Sequence, residues 1–397
     1  MFSTRTPDDL TPNRFSTVLR QLRQQGRPLI DLTLSNPTTA DLPYPADLLE
    51  PLADPRGLAY RPTALGQVEA RQAVSNDFAR RGVSVPAERI ALTASTSEAY
   101  SLLFKVLCDP GDEVLVPRPS YPLFEHLTRL DGVVALPYEL EYHRRWEVNV
   151  ATIESAISPR TRAVLVVSPN NPTGSFLKAH ELERLEALCR PAGMAIIADE
   201  VFADYPFVTD SSVAIGHAAA TRETLSFSLG GLSKSIGLPQ AKLGWVGVGG
   251  PAPLAARAIT RLEFVCDTYL SVSTPVQASL AQLLERGAVV RASIQARVVT
   301  NFRRLLELSR GTPSCDVLDA EGGWYAVLQV PTLGTEEDLV LQLLTTYGVV
   351  VHPGYFFDFP RESYLVLSLL TPPAQFEHGV CTILRHFDCR VGGHDRR

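Results

Sequence analysis

The sequence predicts an α/β protein built on a mainly parallel sheet, and two observations lead to this fold class. Short apolar runs alternate with longer stretches of helical periodicity along most of the chain. The 397 residues are 45% hydrophobic and 20% charged, which is enough for two domains that each bury a core. None of the apolar runs approaches the ~20 residues that a membrane-spanning helix requires.

Five of the apolar runs are predicted to be strands of the main sheet, because turn residues bound each of them. They cover residues 114–116, 163–167, 194–198, 225–228 and 243–248. Helices are predicted between them, at residues 98–107, 180–189 and 253–264.

The last hundred residues have a different order of predicted strands and helices, which indicates a smaller α+β domain. Strands are predicted at 322–328 and 364–370, and helices at 335–347 and 374–387. The Pro-, Asn- and Thr-rich segment 29–44 is expected to join the two parts. The predicted division is a large domain at 45–285 and a small domain formed by 1–44 and 286–397.

Composition and charge exclude several classes of protein. The net charge is −6, without the basic patch that nucleic acid or an anionic lipid surface demands, so neither partner is predicted. Six scattered cysteines form no C-x-x-C pair, so no metal site or disulfide framework is expected. The first residues lack an apolar signal core, and we expect a cytoplasmic protein with reduced thiols.

Lysine is rare in this chain, and its placement indicates chemistry. Only four of the 37 basic residues are lysines, and Lys234 and Lys242 both lie in the glycine-bearing stretch 230–242. Arginine can replace lysine as a surface charge but not as a neutral amine that attacks a carbonyl. Codon bias could also leave a lysine there by accident, so the stretch alone supports both interpretations.

Three polar features each follow a predicted strand. They are the turn 168–174, Asp199 and Lys234. Because ligands of open parallel sheets bind beyond the carboxyl ends of the strands, these features are predicted to converge on one site.

Taken together, these motifs resemble the class I/II aminotransferases, which are pyridoxal 5′-phosphate enzymes of fold type I, over about residues 30–370. The resemblance implies that Lys234 forms a Schiff base with the cofactor and later moves the substrate proton. It implies that Asp199 pairs with the pyridine nitrogen and that Asn171 donates to the phenolic oxygen. From the residues alone, Asp199 could equally be a helix cap and Asn171 part of a Pro/Gly turn.

The resemblance also implies a phosphate site. Ser95, Thr96 and Ser97 precede a predicted helix and match the turn that binds the cofactor phosphate, although a plain Ser/Thr helix cap has the same pattern. Lys242 stands where the family normally has an arginine that clamps the phosphate. Lysine keeps the charge and loses the bidentate geometry.

Four further residues receive roles from the same resemblance. Tyr121 matches the aromatic residue that stacks on the cofactor ring, and Tyr60 the one that reaches the phosphate of a neighbouring subunit. Tyr60 thereby implies a homodimer with shared active sites, although both tyrosines could instead be core aromatics. Ser35 and Tyr355 are expected near the substrate.

Two positions depart from the family pattern. Phe202 stands where the family commonly has a tyrosine that binds the ring phenolate. Val366 stands where it has the arginine that binds the substrate carboxylate, and valine cannot bind an anion. Either another cation substitutes, with Arg14, Arg118 and Arg361 as candidates, or the substrate lacks a conventionally placed carboxylate, or the alignment is shifted.

The predicted function is transfer of an amino group from an amino acid or amine donor to a keto acid by a ping-pong mechanism. One alternative is a β-eliminating carbon–sulfur lyase on the same fold, which would need the same lysine and aspartate. The other is a protein that has lost catalysis and serves as a binding module, which Phe202 and Val366 would suit.

Overall fold

The computed structural model of the protein describes residues 2–207, 215–221, 223–361 and 363–391. Across these ranges helices and strands alternate, and the predicted α/β class is confirmed. The strands are β1 (Ile30–Asp31), β2 (Ile90–Thr93), β3 (Glu113–Arg118), β4 (Val134–Tyr142), β5 (Trp146–Val148), β6 (Thr161–Val167), β7 (Ala195–Asp199), β8 (Ser226–Gly231), β9 (Gly244–Gly249), β10 (Asp316–Val317), β11 (Tyr325–Gln329), β12 (Val349–Val350), β13 (His352–Pro353) and β14 (Tyr364–Ser368).

The helices are α1 (Arg14–Gln24), α2 (Val68–Arg80), α3 (Thr96–Leu107), α4 (Leu123–Leu130), α5 (Val150–Ala156), α6 (Ala179–Ala192), α7 (Leu232–Ser235), α8 (Ala252–Tyr269), α9 (Thr274–Arg286), α10 (Ala288–Ser309), α11 (Glu336–Tyr347) and α12 (Pro373–Val391). No helix in the described ranges is both long and apolar enough to cross a membrane.

The main sheet has eight strands in the order β2-β9-β8-β7-β6-β3-β4-β5. Its five central strands, from β8 to β4, run parallel, while β2, β9 and β5 pair antiparallel at the two sides. The prediction of a mainly parallel sheet is therefore confirmed. The edge strands β2 and β5 were not predicted, because each is short and lacks a long apolar run.

Side chains alternate between the two faces of this sheet, and each face is covered by helices. Ala195 and Ile197 of β7 lie in one apolar cluster together with residues of α3 and α8. Ile196 and Ala198 lie in a second cluster together with residues of α6. The central strands are thus buried on both faces, which explains their continuous apolar sequence.

A second sheet of four antiparallel strands has the order β10-β11-β14-β13. The helices α10, α11 and α12 supply residues to the large apolar cluster that covers one of its faces. In its register Tyr325 lies opposite Ser368, and Val366 lies between Val327 and His352.

The N-terminal part of the chain contacts elements beside the four-stranded sheet and also a helix beside the eight-stranded sheet. β1 pairs in parallel with β12, and α1 packs against α11. Ahead of α1, the guanidinium of Arg129 donates to the Thr4 carbonyl at 2.8 Å, and Arg5 donates to the Leu130 carbonyl at 3.2 Å. This N-terminal arm therefore runs from α1 to α4, which flanks the eight-stranded sheet.

Gly174 ends the turn that follows β6, and its geometry excludes a side chain. Its φ is +73°, and an added Cβ would lie 2.7 Å from the Gly322 carbonyl oxygen and 2.8 Å from the Cβ of Ala320. The Gly174 carbonyl accepts the amides of Glu321 and Gly322 at 3.1 and 3.0 Å. The turn after β6 is thereby tied to the segment that enters β11.

We expect Gly174→Ala to destabilise the protein more than Gly82→Ala does. Both residues have a positive φ, +73° and +78°, but nothing lies within 4 Å of a Cβ at Gly82. Overpacking should add about 1–3 kcal/mol to the backbone cost at Gly174 only. Thermal and urea unfolding midpoints of the two variants measure the difference, and equal shifts would contradict the close contact.

Candidate active site

Three neighbouring parallel strands, β6, β7 and β8, end at the same edge of the main sheet. Asp199 is the last residue of β7, and the Ser168 amide after β6 donates to its carbonyl at 2.8 Å. Lys234 lies on α7, the single helical turn that directly follows β8. The structure thus brings together the three features that the strand pattern predicts to converge.

The Asp199 carboxylate is held from two sides. Its position in β7 places it on the face covered by α3, where the Tyr100 hydroxyl donates to Oδ2 at 2.9 Å. The Val201 amide donates to Oδ1 at 3.1 Å. Burial raises the pKa of Asp199 from 3.8 to about 6, although the two hydrogen bonds and the Lys234 charge oppose the rise.

The Lys234 amine lies among aromatic rings. Its Nζ is 5.0 Å from the ring centroid of Trp324 and 5.8 Å from that of Phe202. Burial lowers the pKa of Lys234, while the nearby Asp199 charge partly opposes this. More of the amine is therefore neutral near physiological pH, which is the form that attacks a carbonyl.

The four lysines divide into two kinds. Lys105 forms an ion pair with Asp131, and the buried Lys178 forms one with Glu321. Within the described ranges, neither Lys234 nor Lys242 has an ion pair. Among the described residues, the two lysines of the glycine-bearing stretch are thus the two that form no ion pair.

The turn before α3 lies next to the start of β9. A Cβ at Gly244 would be 3.1 Å from the Ser95 carbonyl carbon, which is a tight contact, so glycine favours this close approach. Lys242, two residues before Gly244, is exposed and has a left-handed φ of +49°. The exposed Lys242 therefore lies just before the start of β9, close to the turn that precedes α3.

The N-terminus of α3 offers groups that can bind an anion. The Ser95 side chain accepts the Glu98 amide at 3.1 Å and so caps the helix, as the structural interpretation of this motif expects. No described hydrogen bond uses the amides of Thr96 and Ser97, and both residues are partly exposed. Free amides at a helix start favour negative charge.

Several buried polar atoms near the strand ends have no partner in the described part of the chain. Among them are Oδ1 of Asn171 in the turn after β6, Oγ of Ser235 next to Lys234, Nε1 of Trp324 and Nε of Arg118 at the end of β3. An unsatisfied buried polar atom is costly unless a ligand pairs with it. The Ser235 hydroxyl, the Lys234 amine and the helix-start amides are donors, so they fit a bound group that carries a carbonyl and a phosphate, while Asn171 Oδ1 is an acceptor.

Two tyrosines, Tyr121 and Tyr325, lie close enough to each other for the charge of one to affect the other. Tyr121 is 45% exposed, and burial together with the nearby Asp199 charge raises its pKa. Tyr325, at the start of β11, is half-buried, and burial together with the proximity of Tyr121 raises its pKa. The Tyr325 ring also meets the Phe202 ring edge-on at 6.2 Å. We call Asp199, Lys234 and the four rings of Tyr121, Phe202, Trp324 and Tyr325 the strand-end site.

Phe202 brings a ring and no hydroxyl to the strand-end site. Tyr205, three residues later, does not supply the missing group. Its hydroxyl donates to the backbone carbonyl of Lys234 and also approaches that of Ser235 at 3.3 Å. Tyr205 therefore fixes the backbone that carries the lysine.

Three predicted site residues are exposed at the surface. Tyr60 is 75% exposed and lines one surface cavity with Tyr269 and Leu270. Tyr355 is 40% exposed, with its ring against Phe356. Ser35 is exposed and follows Leu34, whose carbonyl accepts the Ser368 hydroxyl at the end of β14.

Val366 is packed into the interior. It is 1% exposed and belongs to an apolar cluster that includes Phe357 and Phe359. Of the candidate cations, Arg14 pairs with Asp338 at 3.4 Å on the surface and Arg361 is exposed ahead of β14. Arg118 ends β3, pairs with Glu139 at 3.0 Å and has a buried Nε without a partner in the described residues.

Tyr100, Trp324 and Tyr325 are site residues that the sequence did not predict. Tyr100 follows the predicted phosphate turn by one helical turn, and that spacing places it beside the strand ends. Trp324 and Tyr325 follow a Gly-Gly pair, which could have indicated a close approach of the backbone. In the described residues no group of three or more His, Cys, Asp or Glu side chains could hold a metal ion.

Comparison with known proteins defines the family. The model of the family "Aminotransferase class I and II" matches residues 27–383. The chain belongs to this family and is an aminotransferase. It is 26% identical over 370 residues to an alanine aminotransferase of Mycobacterium tuberculosis, covering 88% of this chain and 83% of the relative. It is 23% identical over 376 residues to the glutamate-pyruvate aminotransferase AlaA of Haemophilus influenzae, covering 92% of each.

Solved structures share the fold. An aminotransferase from Escherichia coli superposes with a TM-score of 0.86 at 22% identity, covering 98% of both chains. A mutant aspartate aminotransferase of Thermus thermophilus gives 0.84 at 24% identity, covering 97% of this chain and 99% of the other. None of the relatives named here is described as a carbon–sulfur lyase, and family membership argues against a binding module that has lost catalysis.

We expect Asp199→Asn to stabilise the cofactor-free protein above about pH 6. Because folding raises the pKa of this carboxyl from 3.8 to about 6, the stability of the native protein falls as pH rises between these values. The removed penalty is roughly 3 kcal/mol. Thermal melts of the cofactor-free protein at pH 5 and pH 8 measure it.

The gain should be larger at pH 8 than at pH 5. A gain that is equal at both values would show that the carboxylate charge is not its source. Tyr100→Phe is the companion variant. It removes a donor that stabilises the ionised form, so the stability of this variant should fall more steeply with pH than that of the parent protein.

Proposed function

We propose that this aminotransferase uses pyridoxal 5′-phosphate held at the strand-end site and transfers an amino group from an amino donor to a keto acceptor by a ping-pong mechanism. The single observation that carries the proposal is the placement of Lys234. It is a partly buried lysine without a carboxylate partner at hydrogen-bond distance, directly after a strand whose neighbour ends in the buried Asp199. A lysine kept in this state is suited to bind an aldehyde.

Each part of the cofactor has matching residues in the chain. Lys234 would bind the aldehyde carbon, and Asp199 would pair with the ring nitrogen. Asn171, buried in the turn after β6, would donate from its amide nitrogen to the phenolic oxygen. The ring of Tyr121 would stack on the cofactor ring.

The phosphate would lie at the N-terminus of α3. The free amides of Thr96 and Ser97 and the hydroxyls of residues 95–97 are hydrogen-bond donors there. Lys242 would supply the positive charge from the start of β9. When bound, pyridoxal phosphate supplies an aldehyde that accepts the amino group and a ring that delocalises the electron pair left by a departing α-proton.

The residues around the cofactor would then handle protons. Asp199, once paired with a protonated ring nitrogen, would hold that proton in place, and the pairing would remove the penalty of its own burial. The Lys234 amine would take the proton from the donor α-carbon and return one to the cofactor carbon. Tyr205 would keep the lysine at the distance that this transfer requires, since its hydroxyl holds the Lys234 carbonyl.

We propose that two copies of the chain form a homodimer around the exposed surface at Tyr60. Tyr60, Tyr269 and Leu270 line one cavity, and Ser271 in the same cavity donates to Glu98 in the first turn of α3 at 2.8 Å. This surface therefore adjoins the proposed phosphate site. A second copy docked there could offer its own Tyr60 to that phosphate.

We further propose that 45–285 forms the large domain and that 1–44 with 286–397 forms the small one, in the cytoplasm. The eight-stranded sheet lies within the first range and the four-stranded sheet within the second. The relatives whose names include alanine, glutamate and pyruvate share 23–26% identity with this chain, and their substrates are the first donors and acceptors to try.

We expect the purified protein reconstituted with pyridoxal phosphate to be yellow. Borohydride should fix the cofactor to the peptide that contains Lys234, because reduction makes the bond to the amine irreversible. Peptide mass spectrometry locates the modified residue, and Lys234→Ala is the control that should carry no label. A label on Lys242 or no label at all would overturn the proposed site.

We expect Lys242→Ala to release pyridoxal phosphate more readily than Lys105→Ala. Lys105 forms an ion pair with Asp131, and Lys242 has no carboxylate partner in the described residues. Loss of one charged hydrogen bond to phosphate should cost about 1.5–3 kcal/mol. Equilibrium dialysis of the cofactor measures the two dissociation constants, and equal values would show that Lys242 does not bind the phosphate.

A further inference from the structure

We propose that the indole N–H of Trp324 donates a hydrogen bond to the phenolic oxygen of pyridoxal phosphate, which makes Trp324 a further cofactor-binding residue of this enzyme. The inference rests on the proposed function and adds to the same site a residue that no sequence motif identified.

Trp324 carries a buried donor without an acceptor. Its side chain is 0% exposed directly before β11, and its Nε1 has no hydrogen-bond partner in the described part of the chain. The indole nitrogen can donate one hydrogen bond and accepts none. A buried tryptophan usually pairs this N–H, because leaving it unpaired costs free energy. The N–H of Trp324 therefore suits an acceptor that a ligand brings.

The indole ring of Trp324 lies against the amine of Lys234. Nζ is 5.0 Å from the centroid of the Trp324 ring and 5.8 Å from that of Phe202. In pyridoxal phosphate the phenolic oxygen is on the ring carbon next to the one that bears the aldehyde. When Lys234 holds the aldehyde carbon, this oxygen lies beside Nζ. An N–H on the rim of the indole ring is therefore placed in its neighbourhood.

The backbone before Trp324 lies against the turn that follows β6. The Gly322 amide donates to the Gly174 carbonyl of this turn at 3.0 Å. The same turn carries Asn171, the other residue proposed to donate to the phenolic oxygen. Trp324 thus follows a segment that contacts the Asn171 turn, while its ring contacts the Lys234 amine. These are the two sides between which the proposed site places the phenolic oxygen.

Three neighbouring aromatic residues have no donor to offer this oxygen. Phe202 has none, and its ring packs 5.2 Å from that of Trp324. The Tyr205 ring lies 5.4 Å from the indole, but its hydroxyl donates to the backbone carbonyl of Lys234. The Tyr100 hydroxyl donates to the carboxylate at the end of β7. The indole therefore brings a donor next to the phenylalanine that lacks one.

The charged and titratable groups around Lys234 come from three elements. Asp199, at the end of β7, supplies the charge that acts on the amine. Tyr121, after β3, and Tyr325, in β11, bring hydroxyls to the strand-end site, and burial raises the pKa of both. All of these groups are the same in the parent protein and in Trp324→Phe, so a difference between the two reports the indole N–H.

A donor at the phenolic oxygen changes the pH at which the bound cofactor titrates. The oxygen carries a negative charge and shares the proton of the nitrogen that Lys234 contributes. A hydrogen bond from Trp324 stabilises this charge after the proton has left, so it lowers the pKa of that nitrogen. Loss of the donor should therefore raise the pH at which the absorption band of the bound cofactor changes.

The first test uses 3-deoxypyridoxal 5′-phosphate, a cofactor analogue that lacks the phenolic oxygen. Equilibrium dialysis measures the dissociation constants of pyridoxal phosphate and of the analogue for the parent protein and for Trp324→Phe. We expect the substitution to weaken binding of pyridoxal phosphate about tenfold or more, as loss of a hydrogen bond to a charged group implies, and binding of the analogue less than about threefold. Equal weakening of both ligands would show a packing effect and overturn the inference.

Trp245→Phe is the matched control. Trp245 is 2% exposed, and its Nε1 also has no partner in the described residues. Its ring packs against Gly230 and is not among the described rings that contact the Lys234 amine. This substitution removes the same N–H elsewhere in the core, so it should change both dissociation constants less than about threefold.

The second test is spectroscopic and needs no turnover. The absorption band of the reconstituted protein is titrated with pH, and we expect the midpoint in Trp324→Phe to lie about one pH unit or more above that of the parent protein. Trp245→Phe should stay within about half a unit of the parent. An unchanged midpoint in Trp324→Phe, with a raised KM for an amino acid donor, would assign the N–H to the substrate and overturn the inference.

The third test leaves Trp324 in place, so it does not depend on the folding of a variant. The chain has three tryptophans, and labelling with nitrogen-15 tryptophan makes their indole N–H groups visible by NMR. Trp146→Phe and Trp245→Phe assign the remaining signal to Trp324. We expect pyridoxal phosphate to move this proton signal downfield relative to its position with the 3-deoxy analogue, because a charged acceptor forms a short hydrogen bond. The same position with both ligands would refute the proposal.

Failure of the inference and failure of the proposed function give different results. If the parent protein binds pyridoxal phosphate at Lys234 and Trp324→Phe behaves like the parent, the inference alone is overturned. If the parent protein binds neither pyridoxal phosphate nor the analogue, both are overturned.

Discussion

The buried carboxylate of Asp199 is the constraint on which the rest of the site depends. An ionisable group at the end of a central strand is unfavourable, and burial raises its pKa to about 6 in spite of two hydrogen bonds. The Tyr100 hydroxyl and the Val201 amide donate to the carboxylate and orient it, although its burial remains unfavourable. A charge maintained at such a cost is typical of a site that acts on a ligand, because a helix cap would be more stable in a solvated position.

The strand order of the main sheet places the other residues of the site next to Asp199. Because β6, β7 and β8 are adjacent and parallel, their carboxyl ends bring the Asn171 turn, Asp199 and Lys234 to one edge. Glycine allows the neighbouring segments to approach this edge, at Gly174 against the chain before β11 and at Gly244 against the turn before α3. The close backbone contacts at the two glycines therefore fix the positions of the segments that bear the polar side chains.

The four-stranded sheet has developed differently from the cofactor side. The cofactor side keeps unpaired polar atoms and a free lysine, which are costly unless a ligand binds. The opposite wall, at Val366 and Tyr325, is apolar and aromatic. The groups that suit a cofactor and the apolar surface at Val366 therefore lie on different segments of the chain.

The sequence by itself determined the α/β class, the central strands and the order of Asn171, Asp199 and Lys234, because these follow from local periodicity and from strand ends. It also identified Val366 as a departure. Only the tertiary structure decided that Tyr100 orients Asp199, that Tyr205 holds the lysine backbone, and that Val366 is sealed by aromatic packing. These contacts join residues far apart in the chain, and their distances depend on how helices and sheets pack, which a local pattern does not encode.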